Sequence, residues 1–176
     1  MKFSLCKFCF AAAFVMVVAV AVSAPVLAQA AKALGSFDAW EAYQETDGGQ
    51  PVCYVGSQPT TAKGKYKTRG ETYILITHRP AEKSLGVVSL KAGYTFQKAS
   101  EADIIIGEAT FKLFTDDGHA FAYDQKTDKA IVSAMIRGAR LEVKGTSSRG
   151  TKTTDTYSLK GFSAAYKAIG KACKVK

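Results

Sequence analysis

The sequence predicts a mainly β protein: an antiparallel β-sandwich or barrel-like domain with two short helices at about 127–137 and 161–171, forming one unit over residues 36–174. Three observations lead there. Short runs of β-branched and aromatic residues recur with turn residues between them, the rhythm of a sandwich or barrel rather than of alternating β and α units. Two of these runs are separated only by Gly107-Glu108, the spacing of a tight hairpin. Two later stretches switch to a helical period.

Residues 29–35 are small and polar enough for a flexible leader, and Phe37 and Trp40 open the fold. Val52 to Val55 and Thr72 to Thr77 are rich in β-favouring residues and predict strands. Gly86 to Leu90 follows the Arg79-Pro80 loop as a third. Ile104 to Ile106 and Ala109 to Phe114 flank the hairpin turn, and Asp116-Asp117-Gly118 turns the chain again into Ala120 to Tyr123. In the first helix Ile131, Val132, Met135 and Ile136 share one apolar face, with Thr127 or Asp128 as N-cap and Gly138 as stop. Arg140 to Gly145 and Thr154 to Leu159 alternate as strands around a Ser-Ser-Arg-Gly-Thr turn. In the second helix Phe162, Ala165, Tyr166 and Ile169 recur at helical spacing, with Ser158 near the start and Gly170 just past the periodic face.

The first 30 residues have the three parts of a cleavable secretory signal in order. Lys2 and Lys7 supply the positive start, Phe8 to Val22 carries no charge, and small residues at Ala28 and Ala30 offer two cuts. A membrane span needs about 20 apolar residues, and this run is shorter. Cys6 and Cys9 precede the apolar run, whereas a lipidated cysteine follows it. The expected location is therefore the periplasm or the outer surface, with no transmembrane span after cleavage. Export leaves Cys53 and Cys173, which permit one pairing, and in an oxidising compartment a lone pair in a small domain forms a structural disulfide. Loss of Lys2 and Lys7 lowers the formal net charge from +9 to +7. Outside the cytoplasm that excess favours lipopolysaccharide, acidic glycans or acidic proteins, and no nucleic-acid partner is expected.

A search for chemistry returns little. His78 and His119 are the only histidines, and neither has the neighbouring ligands that a metal site needs. Asp116 and Asp117 near His119 read more simply as a turn. No Gly-x-Ser-x-Gly elbow occurs, and Ser147-Ser148-Arg149-Gly150 lacks an assignable base. Lys144-Gly145-Thr146 has no Ser-x-x-Lys companion. No catalytic residue, metal or cofactor is expected, although sequence alone leaves open a pair of acids meeting in space.

The most unusual local pattern is Lys63, Lys65, Lys67 and Arg69, cations at alternate positions with Tyr66 among them. Extended, they line one face of a strand and offer a row to an anionic ligand. The more ordinary reading is a solvated edge strand whose lysines prevent edge-to-edge aggregation. Arg149 and Lys152 form a second small cluster in a turn, either a further anion contact or merely solvated.

Trp40, Cys53-Tyr54, the Arg79-Pro80 loop, Gly93-Tyr94-Thr95-Phe96 and the closing Ser158-Leu159-Lys160-Gly161-Phe162-Ser163-Ala164-Ala165 give the chain its resemblance to the invasion-associated locus B family. The likeness runs over nearly all of the exported part. The chain is short in the middle and lacks the extra cysteine pair that some members carry there. The resemblance implies an envelope or periplasmic protein of Gram-negative bacteria with a β-sandwich-like domain, no catalytic residues to carry over, and either a link by name with host-cell invasion or, as for members outside pathogens, a general role in envelope integrity. The expectation is thus a non-enzymatic binding or interaction domain whose partner is an envelope protein or an anionic envelope component. An envelope hydrolase acting on glycan or peptide is the alternative.

Overall fold

The computed structural model describes residues 30–175, so the export signal expected over residues 1–30 lies outside the described residues except for Ala30. The elements are β1 (Lys32–Phe37), β2 (Trp40–Asp47), β3 (Gln50–Ser57), β4 (Thr61–Gly64), β5 (Tyr73–Arg79), β6 (Ser84–Lys91), β7 (Glu101–Ile106), β8 (Ala109–Asp116), β9 (His119–Ala122), α1 (Gln125–Arg137), β10 (Arg140–Thr146), β11 (Lys152–Ser158) and α2 (Phe162–Ala172). The strands form one open antiparallel sheet in the order β1-β2-β3-β5-β6-β9-β8-β7-β10-β11-β4.

Alternation along the inner strands puts one face inward: β5 buries Ile74, Ile76 and His78, and β11 buries Thr153, Asp155 and Tyr157. The sheet bends over this face in a sandwich-like manner. Trp40, at the start of β2, donates its indole N–H to the Ser158 carbonyl at the end of β11 (3.0 Å), and the Tyr157 hydroxyl lies 3.4 Å from that of Thr72, just before β5. Apolar side chains from both halves, including Ile74, Ile104, Leu113 and Leu141, are fully shielded between them.

The two helices close the core. α1 buries Ile131, Val132 and Met135, while α2 buries Phe162, Ala165 and Ile169. The Phe162 ring meets the edge of Trp40 at 4.8 Å. Gly161 precedes α2 with φ +88°, and a Cβ there would come within 2.0 Å of the Phe37 carbonyl, so the Gly-Phe step admits no larger residue without backbone movement. At the other end Lys174 is left-handed (φ 54°), its N–H bonds Lys171 and the Val175 N–H bonds Gly170, a Schellman turn. This termination sets Cys173 at the C-cap, where it is bonded to Cys53 of β3 across a Cα–Cα distance of 6.0 Å and a separation of 120 residues.

Several local expectations change. Part of the supposed leader is strand β1, because pairing with β2 supplies its hydrogen bonds and Leu34 and Phe37 pack on the core. α1 starts at Gln125 with Asp124 as its N-cap, the carboxylate accepting from the Thr127 N–H at 2.7 Å. Asp128, expected as a cap, is instead buried and accepts the Val88 N–H at 2.8 Å. Ile136 falls outside the buried stripe and is 46 % exposed. Gly170 lies inside α2, which runs on to Ala172.

Candidate functional site

The four alternating cations do not form a row. Strand β4 ends at Gly64, so Lys63 stands exposed on an edge strand while Lys65 to Arg69 form a loop. Regular alternation stops because pairing with β11 stops: Gly64 opposite Thr153 is the last matched position. Arg69 is removed from the row altogether. Its guanidinium turns inward and grips Asp155 through two hydrogen bonds of 2.5 and 2.6 Å, and both side chains are almost fully shielded. Its Nε donates to the Ala92 carbonyl at 2.6 Å, and the Tyr94 ring lies 4.9 Å from its Cζ. Burial alone would lower the pKa of this guanidinium, but the hydrogen bond and charge of Asp155 raise it overall.

That inward turn builds a cleft. Gly70 donates its N–H to the Gly93 carbonyl at 2.9 Å and so joins the 65–70 loop to the segment after β6. Gly93 is left-handed (φ +71°), and a Cβ there would meet the Gly70 carbonyl at 2.3 Å, so this close approach requires glycine. The segment carrying Tyr94 is then held on two sides. Ala92 and Phe96 donate to carbonyls of the Asp117-Gly118 turn, Gln97 donates to the Thr146 carbonyl, and Ser148 of the opposite loop donates to the Thr95 carbonyl. Tyr94 shares a 2.7 Å hydrogen bond with Thr153 of β11. Burial pushes the Tyr94 phenol above its usual range, while Thr153 and Arg69 oppose the shift.

The resulting cavity has a volume of about 670 Å³ and brings together two basic stretches about 80 residues apart in sequence: Lys65 and Lys67 on one wall, Arg149 on the other. All three are exposed, and no ion pair among the described residues involves them. Lys63 and Lys152 do not line the cavity. Tyr66, Tyr94, Thr153 and Asp155 were not singled out from sequence as site residues. Asp155 did leave a signal, since an acid at the inward period of a strand, between Thr153 and Tyr157, needs a cation or hydrogen-bond donors to meet it.

The histidines are placed apart from this cleft. His78, on β5 opposite Cys53, is buried; its Nδ1 accepts the Gly86 N–H at 3.0 Å and its Nε2 has no partner. Burial lowers its pKa. His119 is exposed on β9 opposite Asp116. Among the described residues no three His, Cys, Asp or Glu side chains converge as metal ligands. No described helix is long and apolar enough to cross a membrane.

Residues 40–170 match the family model described as Invasion associated locus B (IalB) protein. The chain is also similar to the crystal structure of invasion associated protein b from Bartonella henselae, with a TM-score of 0.56 and 16% identity over 83% of this chain and 98% of that one. At that identity the likeness concerns the fold. No curated protein matches the sequence.

Proposed function

Because the chain belongs to the invasion associated locus B family, we propose that it is an exported, non-enzymatic envelope domain that presents its basic cleft to an anionic envelope component such as lipopolysaccharide or an acidic glycan. The observation that carries this reading is the convergence of Lys65, Lys67 and Arg149 on one cavity with their charges unpaired, while the fourth cation, Arg69, is spent on holding the walls. Cations without partners around a concave surface raise the local concentration of anions and fix the orientation in which they bind.

The hydrolase reading has less support, since no histidine, aspartate or glutamate lines the cleft. Asp155 beneath it is engaged by Arg69, and the Ser147 hydroxyl accepts the Thr151 N–H at 3.1 Å rather than donating to a base. General acid–base chemistry most often uses histidine, aspartate or glutamate, and the titratable groups that do line the cleft are Lys65, Lys67, Tyr66 and Tyr94. A part in host-cell invasion, carried by the family's name, follows from the same proposal if the bound anion lies on a cell surface.

Co-sedimentation with vesicles containing lipopolysaccharide tests the binding role. The wild type is expected in the pellet at low salt, and the variant with Lys65→Glu, Lys67→Glu and Arg149→Glu in the supernatant. Equal pelleting of the two proteins would remove the cleft from the account.

A further inference from the structure

We infer that the cleft's ligand is an acidic saccharide, a sugar chain bearing carboxylate or phosphate groups, rather than a small inorganic anion or a bare polyanion. The inference rests on the binding role proposed above and concerns what the cleft selects. Its starting point is the separation of charge inside the cavity. The one cation at the floor, Arg69, is matched by Asp155, so the floor has no net charge to offer. The unpaired cations, Lys65, Lys67 and Arg149, are all exposed side chains of the walls. A small anion is held by donors that converge on one point, and nothing on this floor does that.

What the interior offers instead is rings and hydroxyls. Tyr66 and Tyr94 both line the cavity, and the Arg69 guanidinium lies over one face of each ring, 5.7 and 4.9 Å from the centres. Their neighbours around the wall include the hydroxyl residues Thr68, Ser148 and Thr151, while Thr95 donates its hydroxyl to Asp117 at 2.9 Å. A pyranose has an apolar C–H face that packs on an aromatic ring and a rim of hydroxyls that exchange hydrogen bonds with side-chain hydroxyls. A sugar ring in the cavity with its anionic substituents directed at the lysines and Arg149 satisfies both regions together. The volume of about 670 Å³ lies within the roughly 300–1,000 Å³ of ligand pockets and exceeds what an inorganic ion fills.

Calorimetric titration of the purified protein tests this with five probes: a galacturonic acid hexamer, its neutral methyl ester, delipidated phosphorylated core oligosaccharide, the same oligosaccharide after phosphatase, and inorganic polyphosphate. At least one acidic saccharide is expected to bind, with its esterified or dephosphorylated counterpart weaker by about tenfold or more. Which of the two binds identifies the carboxylate or phosphate source. Tyr66→Ala is expected to weaken the saccharide by about fivefold to tenfold while leaving polyphosphate unaffected. Tyr66 makes a single side-chain hydrogen bond, to the Ala62 carbonyl, so a matching unfolding curve checks that the variant is folded. Polyphosphate binding as tightly as the acidic saccharide, with Tyr66→Ala silent, would overturn the inference and leave the anion-binding role standing. Binding of no probe, or binding indifferent to Lys65, Lys67 and Arg149, would overturn both.

Discussion

Arg69 and Asp155, 86 residues apart in sequence, meet as a two-point ion pair at the floor of the cleft, where Arg69 also ties the loop to the Ala92 carbonyl. A buried pair contributes little relative to a well-packed apolar pair, but removal of one partner strands a charge. Arg69→Ala is therefore expected to lower unfolding free energy by about 3–5 kcal/mol, and Arg69→Met with Asp155→Leu by much less. Denaturant melts of the single and double variants check this. Equal losses in both would mean that geometry rather than the stranded charge sets the cost.

The disulfide between Cys53 and Cys173 closes a loop of 120 residues between β3 and the C-cap of α2. On the chain-entropy account its removal destabilises by about 4–5 kcal/mol. Cys53→Ser with Cys173→Ser is expected to lower Tm by roughly 8–20 °C, at about 2–4 °C per kcal/mol for a chain of this size. A shift of a degree or two would show that the closed loop is restrained by other contacts.

Much of this framework is legible in the sequence. Ile74, Ile76, Ile104 and Ile106 alternate in runs bounded by turn residues, and the expected loss of Cys6 and Cys9 with the export signal leaves Cys53 only Cys173 as a partner. Strand β1 was hidden because Lys32-Ala33-Leu34-Gly35 has little intrinsic β preference and is extended by its partner β2. The cap of α1 was obscured by Asp124, Thr127 and Asp128 competing within one turn, of which burial takes Asp128 for the Val88 N–H. The cleft was half visible: both basic stretches stand out, but nothing local shows that β4 pairs with β11 and so brings Lys65 to Arg149. Long-range pairing, not residue preference, makes that contact.

Acid is expected to weaken the fold through His78. The Gly86 N–H occupies Nδ1, and protonation there breaks that bond and leaves a charge buried against the Tyr166 ring, 5.1 Å away. Its folded pKa lies below the unfolded 6.5, so its stabilisation is present above pH 6.5 and is lost as pH falls toward the folded value. Asp128 has the opposite sign: burial raises its pKa above 3.8, against the pull of the Val88 N–H, so its contribution is full below pH 3.8 and lost as pH rises through the raised value. The fall just below neutrality therefore belongs to His78. Urea melts between about pH 7 and 5.5 should show falling stability in the wild type and a flatter profile in His78→Gln; parallel profiles would contradict this.

Gly161 accounts for the glycine of the closing Leu-Lys-Gly-Phe stretch. Its φ of +88° and its contact with the Phe37 carbonyl predict that Gly161→Ala destabilises by more than the roughly 1–3 kcal/mol of a strained backbone position, because the chain must also retreat from Phe37. Thermal melts would show it. A variant as stable as wild type would mean that the β1–β2 turn yields freely.

The most direct test of the cleft is a matched pair of charge reversals. Lys65, Lys67 and Arg149 are changed to Glu in one protein, and the exposed helix lysines Lys126, Lys129 and Lys167 in the other, so the net charge changes equally. Binding to lipopolysaccharide vesicles is then measured across a salt series. The cleft variant is expected to lose binding and most of its salt dependence, while the helix variant keeps a slope near that of wild type and only modestly weaker affinity. Equal losses in the two proteins would show that overall charge, and not the cleft, attracts the anion.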